Sequence, residues 1–235
     1  MVDKVKAWQK PPIEIDNAKE KRGYQSKASV IMVILAVGTM LFIGFRNLDT
    51  SWGVYALMQA GFGAGGYIVM QLITGQGIIP KEFPTFDSYT LIKVGNYPFR
   101  IKYLNNFVYA VLFGLAITVL GQVLVAYKLT ISTTEQALYF LFASVCEEML
   151  FRGLLIELFT IIDNLLTQIL AISASAILFV VVHVNYYGSA VAIVSVIILG
   201  ATLAVDYTYF RNITACIIVH FIINIIGTVD WLISL

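Results

Sequence analysis

Apolar residues in this chain come in long runs broken by short polar segments. The spacing of the breaks predicts helices over residues 28–45, 52–74, 106–127, 135–160, 165–186, 189–208 and 213–234. Most runs approach the ~20 residues a helix needs to cross the hydrocarbon of a bilayer. The expected fold is therefore all-α, a polytopic membrane bundle of about seven transmembrane helices. Residues 1–27 are polar, carry the Pro11-Pro12 pair, and read as an exposed cytoplasmic segment ahead of a single transmembrane domain over 28–235. The apolar run after Lys27 is long enough to remain as a span and lacks a convincing small-residue cleavage site, so no cleavable signal is expected. Between 75 and 105, Gly75, Gly77, Pro80, Pro84 and Pro98 interrupt any continuous helix. That stretch reads as a linker with an amphipathic part on the membrane surface; an eighth span hidden in it would reverse the orientation of everything after it.

Composition narrows the class. At 59% hydrophobic, 12% charged and a mean hydropathy of +0.85, the chain is too apolar for an ordinary soluble domain, and its first partner is the lipid bilayer. The net charge of +1 is small and the basic residues are spread between helices, which argues against nucleic acid as a partner. Their distribution also sets an orientation. Lys4, Lys6, Lys10, Lys19, Lys21, Arg22, Lys27, Lys81, Lys93, Arg100, Lys102 and Arg211 share one side, with Arg46 and Lys128 opposite. The positive-inside rule then puts the amino terminus in the cytoplasm and, with seven spans, the carboxy terminus outside.

Several motifs have plain structural explanations. Gly61, Gly63 and Gly66 satisfy GxGxxG, but no strand precedes them; with the GxxxG spacing of Gly61 and Gly65 they read as a close helix-packing face. Cys146 and Cys216 lie in apolar segments without ligand-like spacing and read as small buried hydrophobes. Asn212-Ile213-Thr214 matches a glycosylation acceptor on a turn assigned to the cytoplasm, and is discarded. Asp163 and Asp206 fall near predicted helix ends, where solvated or capping roles are expected. Glu157 is expected to approach the cytoplasmic surface at its helix end, the other reading being a polar interior below Arg152.

The exception is the oily stretch 141–156, which holds Glu147, Glu148 and Arg152. Each charge at the centre of a bilayer costs about 2.5–3.5 kcal/mol on insertion scales unless it finds a partner or water. Glu148 and Arg152 are four apart, so on a helix they are neighbours in the favourable order for an ion pair. Glu147 points about 100° away from Glu148, and Arg152 cannot neutralise both acids equally, which leaves one carboxylate for other work. The only histidines, His183 and His220, also fall in apolar helices. Either alone reads as an interhelical hydrogen-bond donor; together with a buried acid they change the picture. Phe179 lies one turn before His183, where it can support the imidazole, and Asn224 lies one turn after His220. A carboxylate and an imidazole can activate water, while imidazole and carboxamide donors can stabilise an oxyanion. Glu147, His183, His220 and Asn224 thus contain the parts for amide hydrolysis. One glutamate and two histidines also suit zinc with an open water position, but no HExxH helix is present, so no cofactor is favoured and zinc stands as the alternative.

Glu147-Glu148-x-x-x-Arg152, Phe179-x-x-x-His183 and His220-x-x-x-Asn224, in that order on successive membrane segments and with Phe151-Arg152-Gly153 around the arginine, resemble the motifs of the CAAX protease and bacteriocin-processing family, which includes the type II CAAX prenyl endopeptidases. The resemblance covers about residues 135–225, the expected catalytic core. It implies an intramembrane endopeptidase acting on a membrane-associated protein or peptide, prenylated in some members. It further implies that Glu147 and His183 activate water, that His220 and Asn224 stabilise the oxyanion, and that Glu148 and Arg152 organise the site. A glutamate mechanism is favoured over a metalloprotease. The competing classes are a proton-coupled transporter or channel, for which no inverted repeat is evident, and a non-proteolytic scaffold or immunity protein. One geometric demand follows. At about 1.5 Å per residue, the predicted boundaries put Glu147 near mid-membrane, His183 toward the outer end of its helix and His220 inward of centre, so convergence requires tilt, a kink or displaced helix ends.

Overall fold

Among the described residues, seven helices form where the apolar runs place them: α1 (Lys27–Arg46), α2 (Ser51–Thr74), α3 (Tyr103–Val125), α4 (Thr134–Glu148), α5 (Leu165–Tyr187), α6 (Ala190–Phe210) and α7 (Ile213–Ile233). The computed structural model describes residues 27–75, 89–94, 97–125, 134–160, 164–187 and 190–233. The amino-terminal segment before residue 27 and Asp163 fall outside these. Local chemistry sets several helix ends. The Thr50 hydroxyl accepts from the Gly53 N–H at 3.2 Å and caps α2. Gly75, at φ 68°, takes the left-handed conformation that closes it. At the start of α7 the Asn212 side-chain oxygen accepts from the Ala215 N–H at 3.1 Å.

Among the described residues, four helices carry stretches long and apolar enough to cross a membrane, Ser51–Ile73, Leu104–Leu124, Leu165–His183 and Ala190–Phe210. α1 and α7 offer shorter apolar stretches among the described residues, Val30–Arg46 and Ile213–Ile226. α4 differs from these helices, because it concentrates charged residues inside the protein.

The 75–105 linker contains a structure that periodicity did not predict. β1 (Tyr89–Val94) and β2 (Tyr97–Lys102) pair antiparallel in a register running from Tyr89 opposite Lys102 to Val94 opposite Tyr97. Pro98 sits opposite Lys93; a two-stranded sheet tolerates proline because each strand is an edge. β2 runs directly into α3. The hidden-span alternative involves residues 76–88, which lie outside the described residues.

α2 packs along α4, and the glycine face works differently from the expected spacing. A Cβ on Gly63 would lie 2.7 Å from Cys146 Sγ, and one on Gly66 would lie 2.6 Å from the Met149 carbonyl oxygen. Gly61 and Gly65 face open space. The packing pair is thus Gly63 with Gly66, three apart, and the GxxxG pair points away from the contact. Cys146 and Cys216 are buried free thiols.

Candidate active site

The site is built on one continuous helical rod. α4 does not stop at Glu148; the chain continues through a π-helical stretch, Met149–Ile156, and a last turn, Glu157–Phe159. A π stretch widens the helix and re-aims the side chains that follow it, and such stretches concentrate at functional sites. Here it begins just after the paired glutamates and contains Arg152. The Phe151 carbonyl within it accepts a hydrogen bond from Ser175 Oγ of α5 at 2.8 Å, which ties the wide turn to its neighbour.

Glu148 and Arg152 are both fully buried, with Arg152 Nη1 3.1 Å from Glu148 Oε1. Two further contacts hold the guanidinium. Nη2 donates to the Gly200 carbonyl of α6 at 3.0 Å, and Cζ lies 4.6 Å from the centroid of the Phe179 ring. A Cβ on Gly200 would sit 2.8 Å from that same ring, so the glycine lets α6 close on both groups. Phe179 also packs on His183, with ring centroids 4.3 Å apart. The aromatic support expected one turn before the histidine is therefore present, and it doubles as the arginine's π partner.

The two glutamates turn in different directions. Glu148 Oε1 also accepts from His220 Nδ1 at 2.8 Å. Glu147 points toward the other face of the same imidazole: its Oε2 lies 3.8 Å from His220 Nε2 and 3.4 Å from His183 Nε2. Its second oxygen, Oε1, accepts from Gln59 Nε2 of α2 at 2.7 Å. On His183, Nδ1 lies 2.6 Å from the Phe179 carbonyl. A carbonyl oxygen can only accept, so Nδ1 carries the hydrogen, and in the neutral ring Nε2 is left as an acceptor facing Glu147. The structure thus brings Glu147, His183 and His220 together, with Glu148, Arg152 and Phe179 behind them. Asn224 is placed on the α4–α7 seam, where its Nδ2 donates to the Phe140 carbonyl at 2.8 Å, seven residues before Glu147.

Convergence occurs between helices whose ends lie close to the predicted ones. His183 is the nineteenth residue of α5 and His220 the eighth of α7. At 1.5 Å per residue, α5 begins roughly 16 Å further from the site than α7 does.

Two residues of this neighbourhood differ from their sequence reading, and one was not singled out at all. Asp206 is fully buried in α6 instead of capping a helix end; its Oδ2 receives the Cys216 thiol at 3.5 Å and its Oδ1 has no partner among the described residues. Four residues separate it from the end of α6 at Phe210, which suffices for burial because the α6–α7 connector is itself packed. Glu157 is likewise buried rather than at the surface, held by Tyr207 Oη at 2.8 Å and Arg211 Nη1 at 3.0 Å. Gln59 is the residue that sequence reasoning missed. Its signal was its place four and seven residues before Gly63 and Gly66, on the face of α2 that meets α4.

Chemically, the cluster offers a carboxylate, two imidazoles and a buried cation held apart from the free carboxylate. Among the described residues, no group of three or more His, Cys, Asp or Glu side chains has the arrangement of a metal cage. The close pairs to Glu147 give a Glu/His/His donor set without that geometry. Residues 130–226 match the family model described as Type II CAAX prenyl endopeptidase Rce1-like, which supports the resemblance carried by the motifs. No curated protein and no solved structure gives a significant match.

Proposed function

We propose, from the match of residues 130–226 to the Type II CAAX prenyl endopeptidase Rce1-like family model, that this integral membrane protein is an endopeptidase in which Glu147 is the general base. The observation that carries this reading is the meeting of Glu147 Oε2 with His183 Nε2 at 3.4 Å and His220 Nε2 at 3.8 Å inside a buried helical core. A water placed against Glu147 and His183 gives a proton to Glu147 as its oxygen attacks the scissile carbonyl carbon. The resulting oxyanion needs donors. His220 can serve only when Nε2 carries a hydrogen, and because Nδ1–H is given to Glu148, that form is the imidazolium. By the family resemblance Asn224 is the second donor. As the tetrahedral intermediate collapses, Glu147 returns its proton to the leaving amine nitrogen, and the peptide bond is replaced by a carboxylic acid and an amine.

Glu148, Arg152 and Phe179 organise this arrangement without touching the substrate. The substrate is a membrane-associated protein or peptide, prenylated in the finer form of the proposal. Residues 1–27 are assigned to the cytoplasm by their basic residues, and 28–235 to one transmembrane domain.

The test uses the full chain in proteoliposomes with an internally quenched peptide carrying a prenylated CAAX end, beside its unprenylated counterpart. Glu147→Gln and His183→Ala should each lower cleavage by about 10²–10⁴-fold with thermal stability retained. Unchanged cleavage by both variants overturns the assignment. Stoichiometric zinc whose removal reversibly abolishes activity would replace the glutamate mechanism with a metal-dependent one.

A further inference from the structure

Glu147 is held from outside the segment that carries the family match. Its Oε1 receives the amide of Gln59 at 2.7 Å, and Gln59 lies on α2, more than seventy positions before residue 130 where the match begins. A carboxylate only accepts, so the glutamine must present its nitrogen, and its own Oε1 then has no partner among the described residues. The neighbouring packing brings this contact about. Gln59, Gly63 and Gly66 share one face of α2, and the absence of side chains at the two glycines lets that face close on Cys146 and Met149, the residues flanking the two glutamates. With Oε1 tied down, the carboxylate turns Oε2 toward both imidazoles.

We propose that Gln59 is a positioning residue for the candidate base: it fixes the rotamer of Glu147 and, by donating to the carboxylate, favours the charged form that can accept a proton. The proposal rests on the reading of Glu147 as the base and extends the working site to α2.

The experiment compares wild type, Gln59→Met and Gln59→Glu in proteoliposomes by two readouts. One is the pH profile of kcat/KM on the quenched prenylated peptide. The other is labelling of Glu147 by dicyclohexylcarbodiimide, which reacts with protonated buried carboxyls, followed by mass spectrometry. Methionine keeps the shape, suits an apolar helix and removes the donor. Gln59→Met should fold as stably as wild type, label about tenfold faster near neutral pH, and move the acid limb of its kcat/KM profile to higher pH, with kcat falling more than KM changes. Gln59→Glu sets a second carboxylate against the first, so the two share a proton and the effect is larger. A structural glutamine would instead lower the melting temperature and leave both readouts in place; that result, or labelling identical to wild type in both variants, overturns the proposal. Wild type that cleaves no probe, or Glu147→Gln that cleaves fully, removes the protease reading, while the labelling still decides whether Gln59 controls Glu147.

Discussion

Replacing Gly66 with alanine adds a single methyl group that touches no candidate catalytic residue, yet it is expected to damage the site. The new Cβ would stand 2.6 Å from both the carbonyl carbon and oxygen of Met149 and 2.8 Å from Leu150 N. These are backbone atoms at the mouth of the π stretch, so no side-chain rotation relieves the clash. Contacts between heavy atoms settle near 3.5–4.0 Å, so α2 must retreat by about 1 Å. The Gln59–Glu147 hydrogen bond at 2.7 Å lies on the same face of α2, and a retreat of that size takes it past hydrogen-bonding distance. Overpacking of this kind costs about 1–3 kcal/mol. Gly65→Ala is the internal control, because its Cβ meets nothing within 4 Å and alanine is the better helix former by up to about 1 kcal/mol. Thermal unfolding in mixed micelles and cleavage of the quenched peptide should therefore separate the neighbours: Gly66→Ala less stable and less active, Gly65→Ala unchanged or slightly more stable. Identical behaviour of the two variants would refute the claim that α2 docks through Gly63 and Gly66.

Arg152→Leu removes one partner of a fully buried ion pair and leaves Glu148 facing His220 alone; a stability loss of about 3–5 kcal/mol is expected, measured as the denaturation midpoint in micelles. A loss below about 1 kcal/mol would mean that the pair is wetter than its burial indicates. Glu157→Gln weakens the contacts to Tyr207 and Arg211 that pin the α4 rod to the end of α6 and the connector after it, at a cost of about 1.5–3 kcal/mol. Since this cluster lies some nine residues along the rod from Glu148, kcat/KM of the folded fraction should stay within twofold; a selective loss of activity would join the cluster to the site.

What was legible in the sequence divides along physical lines. The helices were, because an apolar run bounded by polar residues has little alternative in lipid. The pairing of Glu148 with Arg152 and the support of His183 by Phe179 were legible for a similar reason: both are four-residue relations within one helix. Relations between helices were not. Gln59 meets Glu147 across 88 positions, and His220 meets Glu148 across 72; neither spacing leaves a periodic trace. Asp206 was misread because a helix end in sequence is not a surface in space: the two-residue connector after Phe210 is buried at Asn212, which bonds Asn106 at 3.0 Å. The β-hairpin escaped because its strands sit in a segment dominated by proline and glycine breaks.

The division of labour between the adjacent glutamates is sharper in three dimensions than the i, i+4 rule made it. Glu148 would be a simple counter-ion if Arg152 were its only neighbour, but the same oxygen receives His220 Nδ1. His220 therefore spans the two acids, one nitrogen on Glu148 and the other toward Glu147. An imidazole moves charge between its nitrogens: with Nδ1–H committed, any proton on Nε2 makes the ring a cation. Arg152 holds Glu148 in place as the acceptor for Nδ1 and so selects which nitrogen of His220 faces the base. The buried arginine, which never approaches Glu147, thereby fixes the proton inventory on the other side of the imidazole, and the cost of burying three charged groups in lipid is tied to the chemistry at Glu147.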